Sequence, residues 1–87
     1  MHVLSTETED GVSTMTVSIA EDDHKFEVWA EGNEALVKYQ ETLSWRGKIY
    51  TAEPDDHVYK SLMLSEEMTE MLDKWDVSGV RRAAPTP

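Results

Sequence analysis

The chain has 87 residues, 39% of them hydrophobic, with 18 acidic side chains against 8 basic ones and a net charge of −10. That length holds one domain, and the absence of cysteine excludes disulfides, thiolate metal sites, iron–sulfur clusters and cysteine nucleophiles. Lysines and arginines form no cluster, which speaks against binding to nucleic acid or to an anionic membrane surface.

Residues 1–10 are polar and are expected as a flexible segment or a weak edge strand turning at Asp10-Gly11. Period-two alternation then begins. Met15, Val17 and Ile19 alternate with Thr14, Thr16 and Ser18, and Phe26, Val28 and Ala30 alternate with Lys25, Glu27 and Trp29. Ala35, Val37, Tyr39, Leu43 and Trp45 follow on one face, against Leu36, Lys38, Gln40, Thr42 and Ser44 on the other. A two-residue loop at Asp22-Asp23 pairs Ile19 with Phe26, Val17 with Val28 and Met15 with Ala30. A loop at Gly32-Asn33 pairs Ala30 with Ala35, Val28 with Val37 and Phe26 with Tyr39, and sets Glu27 against Lys38 and Trp29 against Leu36. A loop at Arg46-Gly47 pairs Trp45 with Lys48 and Leu43 with Tyr50. The rival for 33–43 is a helix with Leu36, Tyr39 and Leu43 on one stripe, which strands Val37 outside it.

After Glu53-Pro54 the period changes. Residues 55–64 read either as a short helix capped by Asp56 or as a fifth strand from Val58 to Leu64. Ser65 is placed to cap a following helix, with Glu66 and Glu67 near its positive end. Met68, Met71, Leu72 and Trp75 make one apolar stripe on that helix. The expected fold class is α+β: a four-stranded antiparallel β-meander with a C-terminal α-helix packed on Val17, Val28, Val37 and Leu43. The single domain spans 11–80, and 81–87 is expected as a disordered tail.

The acidity is lopsided. Met1 to Ser44 holds ten acids against two lysines, and Trp45 to Pro87 holds eight acids against six bases. It is explained by solubility, by adaptation to a salty cytoplasm, or by a surface meant for a basic partner. The longest apolar run, Leu62-Met63-Leu64, does not span a membrane, and residues 1–8 carry no secretory signature, so a cytoplasmic location is expected.

Asp-Asp-His occurs twice, at Asp22-Asp23-His24 and at Asp55-Asp56-His57. Two imidazoles with carboxylates bind a divalent metal if the two segments meet, but Asp-Asp is also ordinary turn and cap chemistry. No G-x-S-x-G elbow and no Gly-rich phosphate loop is present. No catalytic residue, metal ligand or cofactor is therefore assigned. Trp29, Leu36 and Ile49 fall on the sheet face away from the core, and an apolar patch there marks a contact surface. They are the candidate partner or dimer surface. The function expected is a small acidic non-enzymatic protein-interaction module, either self-associating as a homodimer or regulating a basic partner protein. The alternatives are a single-stranded nucleic-acid-binding domain of meander-plus-helix type, with Trp29 as a stacking platform, and a metal-dependent enzyme using the two Asp-Asp-His loops.

Overall fold

The computed structural model describes residues 1–83. Five antiparallel strands follow the alternating segments: β1 (His2–Glu9), β2 (Val12–Ile19), β3 (Asp22–Glu31), β4 (Glu34–Leu43) and β5 (Ile49–Tyr50). Two helices come next, α1 (Asp56–Met63) and α2 (Glu66–Trp75), and then a short strand β6 (Gly79–Arg82) that runs parallel to β4. The sheet order is β1-β2-β3-β4, and β5 and β6 share the outer edge of β4. This is an α+β fold with more strands than the four-stranded meander expected, and with two helices where one was foreseen.

The alternation works as expected within β2 and β3. Ser13, Met15 and Val17 are buried from one strand, His24, Phe26 and Val28 from the next. Val58, Tyr59, Leu62 and Met68 from the helices close over them, together with Val37 of β4. Phe26 sits at the centre, edge-on to Tyr39 at 5.7 Å and to Tyr59 at 5.4 Å between ring centroids. Met71, Leu72 and Trp75 pack half-buried at the margin of this cluster. Ser65 caps α2 by accepting the Met68 N–H at 3.2 Å. In α1 the capping position is Asp55, one residue before the expected Asp56, and its side chain makes no capping hydrogen bond.

The turns decide the registers. Asp10-Gly11 has positive φ at both residues, +52° and +80°, the backbone of a type I′ hairpin turn, and it makes a strand of residues 2–9. The Gly32-Asn33 loop is as expected, and Glu27↔Lys38, Trp29↔Leu36 and Ala30↔Ala35 all hold. The β2–β3 turn differs. It falls on Ala20-Glu21, with φ of +49° and +74°, so Met15 faces Phe26 and Val17 faces His24. The expected pairing was displaced by an even number of residues, which leaves every side chain on its own face. Asp22-Asp23 tolerates positive φ better than Ala-Glu does, which is why local preference points to the wrong pair.

Two irregularities change faces in β4. Lys25 pairs with Glu41 while Phe26 pairs with Tyr39, so Gln40 is an extra residue and the strand bulges there. Beyond it Thr42 turns inward and is buried, while Leu43, expected in the core, is exposed. The β4–β5 loop contains Trp45, Arg46 and Gly47, closed by Gly47 N–H to Ser44 O at 2.9 Å and Ser44 N–H to Lys48 O at 2.8 Å. Gly47 has φ of +83°, as the third residue of such a loop requires. The longer loop replaces the expected Leu43–Tyr50 pair with Thr42↔Tyr50 and Leu43↔Ile49.

β6 extends into the segment expected as a tail: Arg81 and Arg82 are strand residues. The strand was missed because four residues carry too little alternation to read. Its parallel pairing also needs a crossover, here supplied by the helices. The rest of that segment, 84–87, lies outside the described residues.

Candidate functional site

The two Asp-Asp-His segments meet. Asp22 opens β3 just after the Ala20-Glu21 turn, and His24, two residues on, faces the helix side of the sheet. Asp55 caps α1 and His57 lies in its first turn. Asp22, His24, Glu53, Asp55 and His57 line one cavity of about 280 Å³, with Ile19, Pro54 and Val58 as its apolar wall. Among the described residues, however, no group of three or more His, Cys, Asp or Glu side chains is arranged to hold a metal ion. Proximity alone does not make a coordination sphere.

His24 is the buried member of the cluster, 8% exposed. Its Nδ1 lies 2.8 Å from Thr42 Oγ1, and Thr42 Oγ1 lies 2.6 Å from Tyr39 Oη. Tyr39 donates its only hydroxyl proton to the Tyr50 carbonyl at 3.0 Å. His24, Thr42, Tyr39 and the Tyr50 carbonyl thus form one hydrogen-bonded chain that ties β3, β4 and β5 together. No fully buried side-chain nitrogen or oxygen among the described residues lacks a partner. His24 itself is one of the residues that line the cavity. Burial pushes the His24 pKa below the ordinary histidine value. Asp22 opposes that shift, nearby His57 adds to it, and Asp23 opposes it again.

Next to this cavity the β4–β5 hairpin presents apolar surface to solvent. Trp45 is 63% exposed, Ile49 62% and Tyr50 51%, with Leu43 beside Ile49. The Arg46 guanidinium stacks on the Trp45 ring, 4.6 Å from its centroid, and the Trp45 N–H donates to Asp22 Oδ1 at 3.3 Å. Asp22 and Ala20 line both the His24 cavity and a second one of about 360 Å³ beside the hairpin, so the two adjoin. The expected loop length hid this surface, because it placed Leu43 and Tyr50 as a core pair.

The residues selected from the sequence are divided by the structure. Trp29 and Leu36 are neighbours across β3 and β4, in a row that runs Glu9, Val12, Trp29, Leu36, Arg81 from strand to strand. Leu36 is only 5% exposed and Trp29 is half-buried. Ile49 lies far along the sheet, opposite Leu43, and joins the hairpin surface instead.

A larger groove of about 400 Å³ lies between α1 and β6, lined by Val37, Tyr59, Met63, Leu64 and Val80, with Lys60 and Arg82 at the rim. Arg82 and Tyr59 are already engaged there. Arg82 Nη1 donates to Asp56 at 2.9 Å and stacks over Tyr59 at 3.9 Å. The Tyr59 hydroxyl donates to Glu53 at 2.9 Å. Burial, with that carboxylate beside it, pushes the Tyr59 pKa up to about 12.

Comparison with protein-family models, with curated proteins and with solved structures finds no match.

Proposed function

We propose that this chain is a non-enzymatic interaction module that binds a basic protein at the end of the sheet where the β4–β5 hairpin adjoins the His24 cavity. The observation that carries it is the juxtaposition of exposed Trp45, Ile49 and Tyr50 with a cavity lined by Asp22, Glu53 and Asp55. Apolar anchors around a polar centre are the usual anatomy of a protein contact. A monomer seldom exposes such a cluster without using it. The partner is basic because the molecule around the contact is acidic, with a net charge of −10. The same charge sets two copies of the chain against each other.

The test is site-specific photo-crosslinking in extracts of the source cells, with benzoylphenylalanine in place of Trp45 and, as a control, in place of Thr69 on α2. Position 45 is expected to capture a basic protein that position 69 does not, and molar salt should abolish the capture by screening. The same captured proteins from both positions, or capture indifferent to salt, refutes the proposal. Light scattering of the free chain supplies the other check: a dimer that dissociates on Trp45→Ser would make the partner a second copy.

A further inference from the structure

β6 covers the edge of β4 along Glu34–Val37, and its own outer edge is uncovered. Among the described residues it pairs with β4 alone. The Ala83 N–H donates to Val37 O at 2.8 Å, and backbone groups alternate between the two edges along a strand. Arg81 therefore also faces β4, while the N–H and C=O of Val80 and Arg82 point away from the sheet. The side chains of these two residues turn toward α1: Val80 packs on the core cluster and Arg82 stacks over Tyr59. Beside this edge lies the groove of about 400 Å³, with Met63 and Leu64 of α1 on its other wall. Leu64 is 84% exposed, the most of any large apolar side chain described. At this end of β4 many side chains are spent within the molecule, but the outer backbone of β6 is not.

We infer that the β6 edge and this groove take an extended peptide strand of a partner, one with a large aliphatic side chain flanked at alternate positions by carboxylates. The strand pairs with Val80 and Arg82 in the antiparallel sense, the more stable of the two. Backbone hydrogen bonds hold such an added strand, and pockets for alternate side chains select it. With the aliphatic residue opposite Val80, its side chain meets Met63 and Leu64, and a carboxylate two residues away stands opposite Arg82. Charge favours that carboxylate. Lys60 stands at the groove rim with no carboxylate at ion-pair distance among the described residues, and Asp56, one turn before it on α1, is taken by Arg82. Arg81 and Arg82 pair with Glu34 and Asp56 in solvent-exposed contacts. Such contacts contribute little, so both arginines can turn to a carboxylate on the peptide. Lys60, Arg81 and Arg82 are three of the chain's 8 basic residues, gathered on a molecule that is acidic elsewhere. A second β6 would set arginine against arginine. The sheet's other edge, β1, is unsuited to the same strand. Its register slips between Val3 and Ser5, and Glu7 and Glu9 repel carboxylates. The surface lies at the opposite end of β4 from the hairpin, and it stands whatever that hairpin binds.

The probe is the acetylated and amidated heptapeptide Thr-Glu-Thr-Leu-Thr-Glu-Thr, whose leucine and two glutamates share one strand face. Titrated into the full chain and followed by ¹H–¹⁵N NMR, it should shift the Val80 and Arg82 amides saturably and slow their exchange with water about tenfold or more. N-methylation of the peptide's leucine removes the N–H that bonds to β6 and should abolish the response. Serine in place of that leucine should weaken binding about tenfold or more. Glutamine in place of both glutamates should weaken it roughly twofold to fivefold. In the chain, Leu64→Ser and Lys60→Gln lie at exposed positions that leave the fold intact. The first should lower affinity roughly threefold or more, and the second about twofold. No saturable shift, an equal response to the N-methylated peptide, or shifts in β1 in place of β6 overturns the inference. So does an affinity that neither the serine peptide nor Leu64→Ser changes.

Discussion

At one end of the sheet Trp29 lies beside Leu36, β6 covers the edge of β4, and Arg81 pairs with Glu34 at 3.2 Å. The Ser78 N–H closes that end on Asn33 O at 2.8 Å. At the other end Trp45, Ile49 and Tyr50 stand in solvent, the turn is made by Ala20-Glu21 in left-handed backbone, and Asp22, His24, Glu53, Asp55 and His57 line one cavity. Each end has apolar residues, carboxylates and a cation, but at the first the large side chains are buried or half-buried and at the second they stand exposed. The contrast separates what holds the molecule together from what is left for something else to hold. Regions that recognise partners are commonly those where local rules are broken.

Leu36→Ala should show the largest effect, a loss of about 2–4 kcal/mol in denaturant unfolding, as for other buried leucines. A loss below about 1 kcal/mol would mean that the closed end is no more consolidated than the open one.

Thr42→Val removes the link between His24 and Tyr39 and should cost about 1–3 kcal/mol, because it orphans a buried polar group. The same site predicts a pH effect. The folded His24 pKa lies below 6.5, so the unfolded chain takes up the proton first. His24 therefore supports folding fully above about 6.5, and that support declines as pH falls toward its folded pKa. Unfolding curves of wild type and His24→Gln across that window should diverge in slope, and parallel curves would remove His24 from the account. Tyr59 in the groove under α1 behaves oppositely. With its pKa pushed up to about 12, its contribution is complete below about 10 and fades as pH rises from there.

The two turns make a sharper pair. Replacing Ala20-Glu21 by Asn-Gly relieves two left-handed residues and should stabilise by about 1–2 kcal/mol, a rise of several degrees in Tm for a domain this small. Gly32→Ala, at φ +62°, should cost about 1 kcal/mol. If the Asn-Gly variant gains nothing, the turn is not where the second hairpin stores its strain.

The smallest effect is expected from Trp45→Ser with Ile49→Ser, within about 0.5 kcal/mol of wild type, while the crosslink from the hairpin is lost. A stability loss above 1 kcal/mol would show that these side chains pack on their own domain.

Much of the fold was legible because period-two alternation is strong in β2 and β3, and because Gly32-Asn33 and Ser65 are local signals with one good reading. What was missed turned on single residues. The extra Gln40 in β4 and the third residue in the Trp45–Gly47 loop reversed the faces of Leu43 and moved Tyr50 from Leu43 to Thr42, and nothing local announces either. The Ala20-Glu21 turn was missed for the opposite reason, since the neighbouring Asp-Asp is the better turn former. The repeat of Asp-Asp-His was visible in the sequence, but its meeting depends on how α1 lies against the β2–β3 turn. The hydrogen-bonded chain from His24 through Thr42 and Tyr39 to the Tyr50 carbonyl draws on three strands at once, which no spacing encodes.

The parallel strand at the chain's C-terminal side has a consequence for the order of assembly. The hairpins close between near neighbours, whereas the Ser78 hydroxyl reaches Asn33 O across 45 positions in sequence. Such long-range closure is entropically slow. β6 should therefore dock after the meander and helices have formed, and it should be the first element to leave. Its departure bares the Glu34–Val37 edge of β4, so amide exchange in Gly79–Arg82 sets how often this molecule displays an unpaired strand.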